Sequence, residues 1–196
     1  MRSYEEILEN NKQWVQEKLS LDPDYFEKLS KGQSPAYLFI GCSDSRMPLN
    51  TFTRTDPGEI FIHRNIANVI KENDPNFLAV LQYAVESLKI PHIIVCGHYD
   101  CGGIKAVFYK QATKHVKHWL RPVYRLYQQY AYELHRLPTP KEQYDRLAEL
   151  NVIDGVRRLS RHPIIQKAIK QGQIIHLHGW IINIYTGLIQ DLKVLV

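Results

Sequence analysis

The sequence predicts an α/β fold in which a mostly parallel β-sheet is flanked by helices. Residues 37–40 and 92–96 are short and almost continuously apolar, which is typical of strands buried on both faces of a sheet. Longer segments with helical periodicity, such as 76–89, lie between such runs. Strands that alternate with helices form parallel sheets, and these sheets bind ligands at the carboxyl ends of their strands.

Residues 1–34 are predicted to form an amphipathic helical arm. Helical periodicity runs over 3–31 and places Ile7 and Trp14 on one side. Pro23 interrupts this pattern, and we expect a second helix to begin after Asp22, with Asp22 as its N-cap.

The other elements are predicted from apolar runs and from helix start and stop signals. Strands are predicted at 37–40, 59–62, 92–96, 173–178 and 190–195. Helices are predicted at 76–89, after the glycine-rich turn that follows Cys96, and at 113–136, 141–160 and 162–171. Asp74 and Pro75 mark a helix start, residues 137–140 (LPTP) mark a break, and Gly172 marks a helix end.

Length and composition are those of one globular domain, which we expect to span residues 1–196. A content of 44% hydrophobic residues in 196 is enough to bury a substantial core. No apolar run is long enough to cross a bilayer, and the start has no apolar signal core, so we expect a cytoplasmic protein without a membrane partner. The three cysteines lack the spacing of a secreted disulfide scaffold, which favours metal binding or catalysis.

The net charge of +5 arises partly from basic residues between Lys105 and Arg125, which are interspersed with aromatic residues. This cluster has no recognition motif, and a solvated helix face explains it better than a groove for nucleic acid. We therefore expect no nucleic-acid partner.

Two short motifs follow the predicted strands and contain metal-ligating side chains. Cys42 follows the first strand, and His98 and Cys101 follow the third. Two thiolates and one imidazole suit Zn²⁺, and three protein ligands leave a fourth position open, as in catalytic zinc sites. A water molecule in that position can lose a proton near neutral pH and become a nucleophile.

Asp44 lies two residues after Cys42, and Arg46 lies two residues after Asp44. Two arrangements are possible for this carboxylate. If Asp44 binds the metal, the site is closed. If Asp44 pairs with Arg46, the fourth position is open and the carboxylate can orient the nucleophile.

These residues resemble the β-class carbonic anhydrases, whose pattern is Cys-x-Asp-x-Arg followed by His-x-x-Cys. Residues 42–46 (CSDSR) and 98–103 (HYDCGG) match this pattern, and residues 57–59 (PGE) and 64–68 (RNIAN) match further segments of the family. The resemblance covers nearly the whole chain. It implies reversible hydration of CO₂ to bicarbonate and a proton, in a homodimer or a dimer-based tetramer.

The resemblance also implies roles for individual residues. Cys42, His98 and Cys101 become the ligands of one Zn²⁺ per subunit, Asp44 becomes an exchangeable fourth ligand, and Arg46 becomes the partner of Asp44. The residues implied to contact or border the substrate are Gln33, Phe61, Tyr83 and Gly102.

Gln33 matches a residue that reaches the substrate from a neighbouring subunit, and the helical arm matches a segment that packs on that subunit. Phe61 and Tyr83 match aromatic positions near the substrate cleft. Gly102 matches a position whose backbone lies near the metal-bound species. Taken from the sequence alone, Gln33 is equally compatible with a surface loop and Tyr83 with core packing.

One subgroup of the family has a non-catalytic bicarbonate site made of Trp, Arg and Tyr. The corresponding positions here are Phe39, Arg64 and Ile182, so only the arginine is retained. We therefore do not expect bicarbonate to inhibit this protein through that site.

Four alternatives remain open at this point. Cys96 as a fourth ligand would give a closed, structural Cys₃His site, although Cys96 also fits a buried strand position. A phosphatase-like loop would use Cys42 and Arg46 but leaves His98 and Cys101 unexplained. A zinc-stabilised binding domain without enzymatic activity, and a related hydrolase acting on a CO₂ analogue such as carbon disulfide, are the other two.

Overall fold

The computed structural model describes residues 2–196. The chain divides into two compact units, Met1–Ser34 and Pro35–Val196. Within the described residues, no helix combines the length and the apolar character that a membrane-crossing segment needs.

The first unit contains two helices, α1 (Tyr4–Leu21) and α2 (Tyr25–Ser30). A capping box starts α1: the Ser3 hydroxyl accepts from the Glu6 N–H, and the Glu6 carboxylate accepts from the Ser3 N–H. The Asp22 side chain accepts from the Asp24 N–H (3.2 Å), but it does not cap α2 as predicted. Pro23 and Asp24 form a turn, so α2 begins only at Tyr25.

The second unit is built on a five-stranded sheet with the strand order β2-β1-β3-β4-β5. The strands are β1 (Tyr37–Cys42), β2 (Ile60–Asn65), β3 (His92–His98), β4 (His176–Ile182) and β5 (Ile189–Asp191). The first four are parallel, and β5 pairs antiparallel with β4. The predicted fold class is confirmed.

Strand pairing explains where the strand ends differ from the predictions. β1 and β3 each extend two residues beyond their apolar runs, to Cys42 and His98, because both find partners at their carboxyl ends. β4 begins at His176 rather than at residue 173, because His176 pairs with His92, the first residue of β3.

Eight helices surround the sheet in the second unit. They are α3 (Leu49–Thr53), α4 (Pro75–Gln82), α5 (Gly102–Phe108), α6 (Lys114–Trp119), α7 (Arg121–Gln129), α8 (Ala131–His135), α9 (Pro140–Arg161) and α10 (Pro163–Lys170). The Asp74 cap is confirmed by its bond from the Asn76 N–H, and Gly172 ends α10 with a φ of +87°. After Gln82, α4 continues as a π-helical turn over 83–87.

The prediction of one helix over 113–136 is wrong, because this segment forms α6, α7 and α8. Pro122 lies in the first turn of α7, where its missing N–H is tolerated, and it cannot continue α6. Tyr130, between α7 and α8, leaves the helical region with φ −102° and ψ 15°. The short helix α3 was not predicted.

The two faces of the sheet are covered differently. Side chains such as Leu38, Ile40 and Val95 face a large core that includes residues of α4, α5 and α7–α10. The opposite face carries a smaller apolar cluster that includes Phe39 and Cys96 and is packed by residues of and around α3.

We predict that the cap of α9 contributes measurably to stability. Thr139 and Glu142 form a capping box at the start of this helix, which packs on β3 and β4. Thr139→Ala is expected to lower the free energy of unfolding by about 1 kcal/mol, whereas Thr139→Ser should retain it. Urea unfolding followed by circular dichroism measures both, and equal midpoints for Thr139→Ala and the wild type would contradict the prediction.

Candidate metal centre

Parallel pairing brings Cys42, His98 and Cys101 together at the carboxyl edge of the sheet. Cys42 ends β1, His98 ends the adjacent strand β3, and Cys101 immediately precedes α5. The Cys42 and Cys101 sulfurs are 3.8 Å apart, and the three ligand atoms lie within 4.8 Å of one another. All three residues are buried.

The imidazole of His98 is oriented by the backbone. Its Nδ1 lies 2.9 Å from the carbonyl oxygen of Tyr99, which identifies Nδ1 as the hydrogen-bond donor. This leaves a lone pair on Nε2, which is buried and has no hydrogen-bond partner among residues 2–196. A buried nitrogen of this kind is costly unless something binds it.

The contact between the two thiols separates their pKa values. The Cys101 thiol, assisted by His98, lowers the pKa of Cys42. The same contact, together with burial, raises the pKa of Cys101. A cation bound to both sulfurs would favour the thiolate form of each, since metal ligation displaces thiol protons.

These observations fit a zinc site. The group offers two sulfurs and one imidazole nitrogen, the donor set that suits Zn²⁺, and the orphaned Nε2 of His98 faces the two sulfurs. The distances between the donors are short enough for one ion to bind all three without large movements of the backbone.

Asp44 borders this group and is held by Arg46. The carboxylate accepts from Nε (3.0 Å) and Nη2 (2.8 Å) of Arg46 and from its backbone N–H (3.0 Å). These donors hold the pKa of the Asp44 carboxyl well below its usual range. Asp44 Oδ2 lies 3.7 Å from His98 Nε2, so a small movement would bring this oxygen to the donor group. Of the two predicted arrangements, the structure has the one in which Asp44 pairs with Arg46.

Arg64 supports the loop that carries these residues. Its Nε donates to the carbonyl of Cys42 (2.8 Å), and its Nη2 donates to the carbonyl of Asp44 (2.7 Å). Arg64 lies opposite Gly41 in the register of β1 and β2, which explains how it reaches this loop. Sequence reasoning missed this contact, although the RNIAN segment was noted.

Asp100 is a second site residue that sequence reasoning missed. It accepts from Arg46 Nη1 at Oδ2 (3.3 Å) and from Lys105 Nζ at Oδ1 (2.7 Å). Its backbone has a φ of +58°, a conformation that Asp, Asn and Gly adopt most readily. The sequence signal that could have identified Asp100 is its position between the candidate ligands His98 and Cys101 in the HYDC segment.

The structure places the predicted substrate residues in different regions. Gly102 begins α5 directly after Cys101, and a Cβ added there would meet no atom within 4 Å. The rings of Phe61 and Tyr83 lie 5.8 Å apart. Tyr83 is 49% exposed, so the alternative of core packing is wrong for this residue.

Phe61 does not lie at the metal-ligating group of its own chain. Phe61 pairs with Leu38, roughly 13 Å before the level of Cys42 along the sheet. Gln33 is exposed in the first unit.

Cys96 is separate from the three ligand residues. It is fully buried in the apolar cluster on the other face of the sheet, and burial raises its pKa. Its sulfur contacts the carbonyl oxygen of Gly97. The closed Cys₃His alternative is therefore not formed in the structure. Phe39 and Ile182 belong to the same apolar cluster.

Comparisons with known proteins agree on one family. The sequence matches the carbonic anhydrase family over residues 37–189. A carbonic anhydrase of Emericella nidulans is 41% identical over 193 residues, which cover 98% of this chain and 85% of that protein.

Two solved structures extend this similarity to the fold. One, from a study of two tetrameric β-carbonic anhydrases of Sordaria macrospora, has a TM-score of 0.90 at 37% identity and covers 97% of this chain and 96% of that chain. A β-carbonic anhydrase of Aspergillus fumigatus has a TM-score of 0.93 at 35% identity, with 98% and 92% covered.

We predict that Cys101→Ser and His98→Gln lose bound zinc, whereas Cys96→Ser retains it. Changes to groups around metal ligands already weaken binding about 10–100-fold, so loss of a ligand should cost at least as much. Metal analysis after dialysis should give one zinc per chain for the wild type and for Cys96→Ser. A zinc content in Cys96→Ser as low as in Cys101→Ser would instead indicate the closed Cys₃His site.

Proposed function

Because the chain belongs to the β-carbonic anhydrase family, we propose that it catalyses the reversible hydration of CO₂ to bicarbonate and a proton at the group formed by Cys42, His98 and Cys101. The observation that carries this proposal is the buried, unpartnered Nε2 of His98 facing two sulfurs, with the Asp44–Arg46 pair beside it. Membership of an enzyme family argues against the binding domain without activity.

In this proposal, Cys42, His98 and Cys101 hold one Zn²⁺ per subunit. Zn²⁺ bound there supplies Lewis acidity, which makes water a nucleophile near neutral pH. The hydrogen bond from His98 Nδ1 to the Tyr99 carbonyl fixes the ring so that Nε2 is the ligating atom. The bonds from Arg64 to the carbonyls of Cys42 and Asp44 fix the loop that carries the first ligand.

In this proposal, Asp44 is a permanently ionised hydrogen-bond acceptor that orients the nucleophile. Its pKa is held far below neutral, so the carboxylate only accepts hydrogen bonds at working pH and does not serve as a proton donor. An acceptor beside the metal-ligating group can hold the proton of the nucleophile away from the substrate. Arg46 keeps the carboxylate turned away from the metal ligands, and Asp44 closes the site when it leaves Arg46.

The proposal also assigns substrate contacts to four residues outside the ligand group. Gly102 is adjacent to Cys101 and leaves open space for a small substrate. Phe61 and Tyr83 are far from the ligand residues of their own chain, so we propose that they act from a neighbouring subunit together with Gln33.

A homodimer or a dimer-based tetramer would provide that neighbouring subunit. The Sordaria macrospora relatives are tetrameric, which supports this assembly. Ile7 and Leu8 of α1 are 57% and 50% exposed, and a second subunit packed on the helical arm would cover them. We further propose a cytoplasmic location, since all three cysteines are free thiols and the cytosol keeps thiols reduced.

The first test is the rate of CO₂ hydration in a stopped-flow instrument, for zinc-loaded protein, chelator-treated protein and protein reconstituted with zinc. We expect activity in the first and third samples and its loss in the second. Zinc bound at one equivalent per chain without faster hydration would overturn the proposed function.

Arg46→Ala is expected to lower the hydration rate about tenfold, because a charge-assisted, two-point hydrogen bond to Asp44 is lost. Arg125→Ala is the matched control, since the Arg125 side chain is exposed and forms no ion pair with the described residues. Full activity of zinc-loaded Arg46→Ala would contradict the role of Arg46.

A further inference from the structure

We propose that Asp100 is a positioning residue that holds Arg46 in place whether or not Asp44 is paired with it. This inference rests on the function proposed above, because it concerns the movement of Asp44 between Arg46 and the metal-ligating group. Asp100 belongs to neither the ligand set nor the Asp44–Arg46 pair.

Two carboxylates bind different edges of one guanidinium. Nε and Nη2 of Arg46 donate to the Asp44 carboxylate at 3.0 Å and 2.8 Å. On the other edge, Nη1 donates to Asp100 Oδ2 and Nη2 donates to the Asp100 carbonyl oxygen, both at 3.3 Å. Removing Asp44 from this arrangement would leave both contacts to Asp100 intact.

Asp100 is itself held from two further sides. Lys105, on α5, donates to Asp100 Oδ1 at 2.7 Å. The Asp100 N–H donates to the buried carboxylate of Asp145 on α9 at 2.9 Å, and Lys141 pairs with the same carboxylate. The residue is therefore tied to two helices and can act as a fixed support.

This support matters because Arg46 is half exposed. Its side chain has 47% exposure, and a long side chain released into solvent gains rotamer entropy that disfavours its return. Without Asp100, Arg46 would be free to move into solvent once Asp44 left it. The Asp44–Arg46 pair could then form again only after Arg46 had returned to its position. With Asp100, the Arg46 guanidinium keeps its position, and Asp44 can pair with it again directly.

Lys105 also balances the charge of Asp100. Asp44 and Asp100 are two carboxylates around one guanidinium, and the Lys105 ammonium supplies the second positive charge. The two negative and two positive side chains cancel. Asp100 can therefore bind Arg46 without adding net negative charge near Asp44.

A purely structural role of Asp100 predicts a different outcome. The φ of +58° favours Asp, Asn or Gly, and such a role would be met equally well by all three. Asp100→Asn and Asp100→Gly therefore tolerate the left-handed backbone conformation while removing the charge. Asp100→Gly also removes the side-chain acceptor.

The decisive measurement is proton exchange at the Arg46 Nη–H groups, which donate to Asp100, in ¹⁵N-edited NMR spectra of the metal-free protein, assigned with Arg46→Lys. We expect slow proton exchange in the wild type, with roughly threefold to fivefold faster exchange in Asp100→Gly and an intermediate rate in Asp100→Asn. CO₂ hydration by the zinc-loaded variants should fall in the same order and by similar factors.

Lys105→Met tests the same idea without changing Asp100, and it keeps the test valid if the Asp100 variants fold poorly. We expect a smaller acceleration of Arg46 exchange in Lys105→Met. Lys117→Met is the matched control, because Lys117 is exposed on α6 and outside the site, and it should behave as the wild type.

The outcomes separate this inference from the proposed function. Unchanged Arg46 exchange and unchanged hydration in both Asp100 variants, with an active wild type, would overturn the role of Asp100 alone. An inactive, zinc-loaded wild type would overturn the proposed function, while the NMR measurement on metal-free protein would still decide whether Asp100 holds Arg46.

Discussion

The parallel pairing of β1 with β3 is the constraint on which the site depends. It places the carboxyl ends of two strands side by side, although Cys42 and His98 are far apart in the sequence. Both strands are buried on their two faces, so their register is strongly specified by packing. The sheet therefore fixes the relative positions of Cys42 and His98, and folding itself orders these two candidate ligands.

Around this fixed edge, charge and exposure change together. His98 is fully buried, the Asp44 side chain is 16% exposed, and those of Arg46 and Asp100 are 47% and 42% exposed. Signs alternate outward from Asp44 through Arg46 and Asp100 to Lys105. Pairing with Arg46 keeps the partly desolvated inner carboxylate ionised, while the outer side chains are more exposed to solvent. In the proposed function, this arrangement would let Asp44 move while Asp100 holds Arg46.

The sequence was sufficient to predict the fold class and the strands, and it singled out the three buried residues that the structure brings together, because apolar runs and residue spacing are local signals. The supporting contacts were missed for physical reasons. Arg64 reaches the Cys42 carbonyl only through the register of β1 and β2, and Asp100 reaches Arg46 only through a left-handed turn. The break within 113–136 was missed because helical periodicity continues across Pro122. The proposed substrate contacts of Gln33 depend on a second subunit, which no single chain contains.

Register also decides which cysteine can serve as a ligand. Cys96 pairs with Gly41, one residue before Cys42, so the side chains of Cys96 and Cys42 point to opposite faces of the sheet. A slip of one residue would bring both sulfurs to the same face and offer four donors, which is the composition of a closed structural site. The observed register buries Cys96 in apolar surroundings that raise its pKa and leaves three donors at the edge. Strand packing, rather than the number of cysteines, therefore decides that three donors meet at this edge, and an ion bound by them would keep a fourth position open.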